Sequence, residues 1–83
     1  MRLHPDVSTT DTDDGTVLLD ERTGRYWQLN STGGHVLRQL LGGYEPTGIA
    51  AELADRYGIG LEQAERDVTA VIERLRASEL VIS

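Results

Sequence analysis

The sequence contains no cysteine, no lysine and no long run of apolar residues. The absence of cysteine excludes disulfides, thiolate metal sites and cysteine nucleophiles, which fits a reducing cytoplasm. No segment approaches the ~18 apolar residues that a membrane-spanning helix needs, and the N-terminus lacks the apolar stretch of a signal peptide. We therefore expect a cytoplasmic protein with no membrane partner.

The length and the charge limit the possible functions further. A chain of 83 residues predicts a single domain over residues 1–83. A domain of this size buries only roughly 60–65% of the surface of its unfolded chain, which leaves one modest core and no deep substrate cavity. The net charge is −6, and all eight basic residues are arginine.

The first third of the chain has the composition of strands separated by turns. Aspartate-rich and glycine-containing segments punctuate short β-prone runs, and Gly24 can adopt the positive φ that a hairpin turn requires. These signals predict three antiparallel strands, the minimum for a sheet that packs on helices. The strands are residues 7–10, 16–19 and 25–29, and the turns are residues 11–15 and 20–24.

The rest of the chain has apolar residues at helical spacing. Asn30 or Ser31 is suited to cap a first helix that ends at the glycines 42–43, and Thr47 to cap a second that ends at Gly58. A third helix is predicted from Leu61 to about Ser78. The last apolar residues, 80–82, either dock as a short strand or fill the core. The predicted fold is α+β and resembles a winged helix-turn-helix, with a three-stranded antiparallel sheet followed by three helices.

A winged helix suggests DNA binding, but the charge of the third helix opposes this function. Its exposed N-terminal face carries three acidic residues against one basic residue, namely Glu62, Glu65 and Asp67 against Arg66. Phosphate contacts need lysine or arginine on that surface. A DNA-binding regulator is therefore an alternative, and we expect no nucleic-acid partner.

The strand over residues 25–29 is a candidate binding edge. Strand alternation places Tyr26 and Gln28 on one face and Arg25, Trp27 and Leu29 on the other, so one aromatic ring should face the core while the other is free. If the outer side of this strand is open, an extended peptide can add to it as a further strand.

Catalytic and metal-binding patterns are missing. His4 and His35 are far apart in sequence, and the aspartates at positions 11, 13 and 14 lack the glycine and the closing glutamate of a calcium loop. No serine, histidine and aspartate have the local signature of a triad. We expect a protein that is not an enzyme and has no cofactor or metal.

Several of these segments together are similar to a known family. The residues that carry the similarity follow one another in order after Asp14. They are Tyr26, Leu29-Asn30, Thr32-Gly33 and Leu40-Leu41-Gly42-Gly43, followed by Ile49, Leu53, Asp67-Val68 and Leu75. In order and spacing they resemble the PqqD-like proteins, which recognise ribosomally made precursor peptides. The length and the hairpin look most like the stand-alone recognition proteins of lasso-peptide biosynthesis.

The resemblance implies a function and a set of partners. The leader segment of a precursor peptide would add antiparallel to the third strand of the sheet and place apolar side chains in a cleft against helix three. Such leaders often carry a Tyr-x-x-Pro-x-Leu pattern. The precursor would then pass to a separate leader peptidase of the transglutaminase-like cysteine-protease type and to an ATP-dependent, asparagine-synthetase-like cyclase. The contacts carried over are Arg25, Tyr26, Trp27, Gln28, Leu29, Ala64, Asp67, Val68, Val71, Arg74 and Leu75.

Two points stay open in this resemblance. Other PqqD-like proteins act as peptide chaperones for a radical-SAM enzyme, and no residue here separates that role from the lasso role. In addition, the family often has glycine before its closing apolar residues, whereas this chain has Glu79, which puts the end of helix three in question.

Overall fold

The computed structural model describes residues 1–82. The elements, in chain order, are β1 (Arg2–Leu3), β2 (Val7–Thr12), β3 (Gly15–Asp20), β4 (Arg25–Asn30), α1 (Ser31–Leu41), α2 (Pro46–Tyr57), α3 (Leu61–Ala77) and β5 (Val81–Ile82). Strands β2, β3 and β4 form an antiparallel sheet in that order, and the three helices follow, so the predicted fold class is confirmed. None of the helices within residues 1–82 is long and apolar enough to cross a membrane.

Two tight turns determine the register of the sheet. The first strand is longer than predicted, because β2 continues to Thr12 and only two residues separate it from Gly15. Gly15 has φ +149°, and a Cβ atom there would overlap the backbone carbonyl of Leu29. At the second turn, Gly24 has φ +72°, as its position in the sequence predicts. Both glycines are therefore needed for the backbone path.

The helix boundaries agree with the sequence-based predictions except at the start of α2. The Asn30 side chain accepts a hydrogen bond from the Gly33 N–H at 2.8 Å and caps α1. Gly58 ends α2 with φ +63°. The prediction that Thr47 caps α2 is wrong: the N-cap is Glu45, and the helix begins at Pro46. Proline suits this position, since its φ is already helical and its missing N–H would have no partner in the first turn.

The core lies between the sheet and the helices. Helix α1 packs on β3 and β4, and α2 packs along α3. Leu18, Leu53 and Leu75 are almost completely buried. The C-terminal segment does both things that its sequence allowed, because Leu80 is buried in the core while Val81–Ile82 pairs antiparallel with Arg2–Leu3.

Candidate functional site: an open strand edge beside a groove

The outer side of β4 is an open strand edge. In the sheet order β2-β3-β4, β4 pairs with β3 on one side, and no strand of the described chain pairs with its other side. An edge of this kind presents unpaired N–H and C=O groups to a further strand.

The hydrogen-bonding pattern of β3 determines which residues of β4 present these unpaired groups. The Glu21 N–H donates to the Asp6 carbonyl at 2.9 Å, next to the β2–β3 ladder. Hydrogen-bonded and non-hydrogen-bonded pairs alternate along an antiparallel ladder. By this alternation the pair Thr12 and Gly15, which closes the two-residue turn, is also a hydrogen-bonded pair. Hence the odd-numbered residues of β3 direct their backbone groups to β2, and the even-numbered ones, Leu18 among them, direct theirs to β4.

The same alternation continues across β4. Leu18 pairs with Trp27, so the backbone groups of Trp27 are used in bonding to β3. The neighbouring residues Tyr26 and Gln28 point their N–H and C=O groups the other way. These two residues are therefore the hydrogen-bonding positions of the open edge.

The side chains of β4 alternate between the core and the solvent. Trp27 is half-buried against the core and Leu29 is buried, whereas Tyr26 is 71% exposed and Gln28 is exposed. This confirms the sequence-based expectation that one aromatic ring faces inward and the other is free. Arg25 shares the face of Trp27 but is exposed at the start of the strand.

A groove of about 320 Å³ lies between the start of β4 and the C-terminal end of α3. Trp27 and Ala77 provide apolar surface, and most of the other lining residues are polar. The groove is lined by Asp20, Arg22, Thr23, Arg25, Trp27, Ala77, Ser78 and Glu79. An extended peptide on the open edge would therefore have a partly apolar groove at one face of its strand.

Arg22 connects the two walls of this groove. Its Nε and Nη2 atoms donate to the two carboxylate oxygens of Asp20 at 3.0 and 3.1 Å, and Nη2 also donates to the Glu79 carbonyl at 2.8 Å. The hydrogen bond from the Arg22 side chain holds the pKa of Asp20 below its ordinary value, against the opposite effect of burial. The β3–β4 turn is thus joined to the end of α3, where a cation also complements the helix dipole.

Comparison with known proteins identifies the family. The model of a family described as coenzyme PQQ synthesis protein D (PqqD) matches residues 15–81, which is most of the chain. The chain belongs to the PqqD family.

Two solved structures are similar to this PqqD-family chain over nearly its whole length. One is described as lasso peptide synthetase B1 complexed with the leader peptide; it is 39% identical with a TM-score of 0.91, and the match covers 99% of this chain and 96% of that one. The other, TbiB1 in complex with the TbiA(beta) leader peptide, is 29% identical with a TM-score of 0.84, covering 96% and 93%. None of the curated proteins compared with the chain is significantly similar to it in sequence.

Glu79, which stands before the closing apolar residues, adopts a backbone conformation that favours glycine. Glu79 has φ +56°, the left-handed conformation that glycine adopts most easily, and Leu80 N–H donates to the Leu75 carbonyl at 3.0 Å. Helix α3 therefore ends at Ala77, and two residues later Glu79 adopts a left-handed conformation that is strained for a residue other than glycine.

The residues of α3 that the resemblance implies fall into two groups. Ala64, Val68 and Leu75 are buried in the core, so they pack α3 against the rest of the domain. Asp67 and Val71 are half-buried and Arg74 is exposed. These three are spaced by four and three residues along one side of the helix, and the same row continues to Ser78, which lines the groove. None of these three residues is among those that line the groove itself; they lie on the row of α3 that leads from the groove toward the N-terminus of the helix.

Other lining residues were not expected from the sequence. Asp20, Arg22, Thr23 and Ser78 line the groove although local patterns give them ordinary roles in a turn or at a helix end. An Asp two residues before an Arg in a turn is a weak signal for their pairing. Nothing local indicates that Arg22 meets Glu79, which lies 57 residues away.

The surface of α3 opposes the DNA-binding alternative. Glu62, Glu65 and Arg66 are exposed, and Asp67 is half-buried beside them. Two of these side chains are further engaged with Gln63, since its amide donates to Asp67 at 2.9 Å and accepts from Arg66 at 3.2 Å. The acidic side chains on this face would repel the phosphate backbone. Within residues 1–82 no three His, Asp or Glu side chains are grouped as metal ligands would be.

Proposed function

We propose that the chain binds the leader segment of a ribosomally made precursor peptide in lasso-peptide biosynthesis. The observation that carries this proposal is the match of almost the whole chain to a lasso peptide synthetase B1 solved with the leader peptide. The open edge of β4 and the adjacent groove support a binding mode in which the leader adds as a strand.

In this mode the leader runs antiparallel to β4 and its backbone pairs with Tyr26 and Gln28. The leader residue between those two pairs lies opposite Trp27 in a non-hydrogen-bonded pair, where side chains approach most closely. Its side chain points to the face of Trp27 and enters the groove. Its two neighbours point to the outer face, beside the exposed ring of Tyr26.

The chain in this proposal is a binding protein and not an enzyme. It holds the leader while a separate leader peptidase of the transglutaminase-like cysteine-protease type and an asparagine-synthetase-like cyclase act on the precursor. Co-purification of the chain with either enzyme in the presence and absence of precursor would test this part. The proposal would be contradicted if the chain binds the precursor but co-purifies with neither enzyme and does not change the rate of the peptidase.

The family description favours one second candidate. PqqD is described as a coenzyme PQQ synthesis protein, which is compatible with the role of peptide chaperone for a radical-SAM enzyme. Titration of the chain with the precursor of each class would separate the two candidates, because only the cognate leader should bind tightly.

A proline scan of the leader tests strand addition. Proline lacks the N–H that a ladder position must donate. Proline at leader positions that pair with Tyr26 or Gln28 should abolish binding in calorimetry, whereas proline opposite Trp27 should be tolerated, since the N–H at that position points away from β4. Loss of binding at every position, or at none, would contradict this register.

Amide exchange provides a second test with an internal control. On addition of leader, the N–H groups of Tyr26 and Gln28 should become protected from hydrogen exchange. The N–H groups of Thr9 and Asp11 point outward from β2 by the same alternation and should not change. A saturated complex in which only the β2 groups are protected would place the peptide on the wrong edge.

A matched pair of variants tests the wall formed by α3. Val71 and Ile72 are adjacent and both half-buried, but Ile72 lies on the other flank of the helix, near the α1–α2 loop. Val71→Thr should weaken leader binding about fivefold, because a hydroxyl replaces apolar contact surface. Ile72→Thr should leave affinity unchanged. Equal effects of the two variants on affinity would remove α3 from the site.

A further inference from the structure

The indole N–H of Trp27 is a buried donor without an acceptor. In the part of the chain that the structure describes, Trp27 Nε1 is the buried side-chain nitrogen or oxygen that has no hydrogen-bond partner. Buried polar groups in folded proteins are nearly always paired, and an unpaired one is unfavourable. An exception at a position that lines a groove indicates that a ligand completes the pairing.

The surroundings of the ring support an oxygen acceptor. Trp27 lines the groove and its side chain is only half-buried, so the indole lies beside the space that a bound peptide would occupy. Arg25 lies two residues away on the same face of β4 and also lines the groove, and within residues 1–82 its guanidinium makes no ion pair. The β4 wall therefore offers two unpaired donors. On the opposite wall the Glu79 carbonyl is already used by Arg22.

We infer that Trp27 is a specificity-determining residue whose indole N–H donates a hydrogen bond to an oxygen of the bound peptide. The inference rests on the proposed leader binding and adds one specific hydrogen bond to the contact between the peptide and the groove. A peptide that fills the groove with hydrocarbon alone leaves the donor unpaired and binds more weakly. A peptide with an oxygen at this point satisfies it, and Arg25 makes a carboxylate a better acceptor than a neutral oxygen.

The single tryptophan makes the test direct. The uniformly ¹⁵N-labelled chain has one indole ¹H–¹⁵N signal, which should move downfield and exchange more slowly with solvent when leader is added. Replacement of Trp27 by β-(3-benzothienyl)alanine, in which sulfur takes the place of N–H, keeps the shape of the ring. It should weaken leader binding about tenfold, while the melting temperature of the free chain stays equal or rises because an unpaired donor has been removed.

The variant Arg25→Gln shows whether the accepting oxygen belongs to a carboxylate or to a backbone carbonyl of the peptide. If the acceptor is a carboxylate, this variant weakens binding and reduces the indole shift; if it is a backbone carbonyl, the indole shift is retained. Both results support the inference. The inference would be overturned if the saturated complex protects the Tyr26 and Gln28 amides while the indole signal does not move and the benzothienyl variant binds leader with unchanged affinity. Leader binding itself would then stand. Absence of any leader binding would overturn both proposals.

Discussion

Replacing Gly34 by alanine tests how closely α1 packs on the sheet. Gly34 is buried in α1, and a Cβ atom there would lie 2.5 Å from Thr16 Oγ1 and 3.2 Å from Thr16 Cβ. Thr16 is itself buried, and its hydroxyl donates to Asp11 Oδ1 at 3.0 Å. The threonine is stiff about χ1 and cannot turn away without losing this bond, so the helix must move instead.

The expected size of the effect follows from two opposing contributions. Alanine is favoured over glycine in a helix by roughly 1 kcal/mol, whereas an extra methyl group in a packed core costs about 1–3 kcal/mol. We expect the steric contribution to be larger, with a net decrease of about 1 kcal/mol in the free energy of unfolding. Gly48→Ala is the matched control: Gly48 lies in α2 with open space around its Cβ position, and should gain roughly 0.5–1 kcal/mol.

Urea unfolding followed by circular dichroism measures both variants. Thr16→Ala removes the clashing oxygen, so Gly34→Ala added to that background should cost nothing or stabilise the chain, which a double-mutant cycle reports as a coupling free energy. Equal stabilisation by Gly34→Ala and Gly48→Ala in the wild-type background would show that α1 does not pack tightly on Thr16.

Three further predictions concern the helix ends and the groove. Glu79→Gly should raise the free energy of unfolding by about 0.5–1 kcal/mol, since glycine adopts positive φ without strain. Asn30→Ala should lower it by about 1 kcal/mol through loss of the α1 cap. The pKa of Asp20 lies below its ordinary value of 3.8, so its contribution is present above that pH and is lost as the pH falls through the lowered pKa. Asp20→Asn should remove this acid-dependent part of the stability, measured by unfolding at a series of pH values.

Each of the three has a control variant. Ser78→Gly, at φ −88°, should destabilise the chain, so stabilisation by both glycine variants would refute the strain at position 79. Ser31→Ala changes an exposed residue beside the cap and should have little effect, and a cost equal to that of Asn30→Ala would remove the capping explanation. Asp13→Asn lies in an exposed turn and should keep the acid dependence of the wild type, including the part due to Glu52, whose pKa is lowered by its hydrogen bond to His35.

Turn chemistry made most of the fold predictable from the sequence. Gly24 and Gly58 adopt the positive φ that their positions indicated, and Asn30 caps α1 as expected. The start of α2 was not predicted correctly, because the preference of Pro46 for the first turn outweighs the preference of Thr47 for the N-cap. Cap preferences of this size are small, and one neighbouring residue reverses them.

The candidate site was predictable on the strand and less so on the helix. Strand alternation has a period of two and correctly placed Tyr26 and Trp27 on opposite faces, whereas which ring faces the core depends on the tertiary packing. A helical stripe of apolar residues indicates burial, but it does not separate the residues that fill the core, such as Val68 and Leu75, from those at its margin, such as Val71. That separation depends on where β4 and α3 come together, which is a property of the tertiary fold.

The two open edges of the sheet explain why β4 is the better candidate for binding. An edge alone offers backbone hydrogen bonds worth about 1 kcal/mol each, while ordering each peptide residue costs about 1–2 kcal/mol. Beyond Val7, the side chains of β2 are exposed and polar, so a strand added there would gain little else. Beside β4 the groove can bury an apolar side chain, which contributes about 1.5–3 kcal/mol. Selective binding therefore requires the edge and the groove together, and in the described chain β4 is the strand that has both.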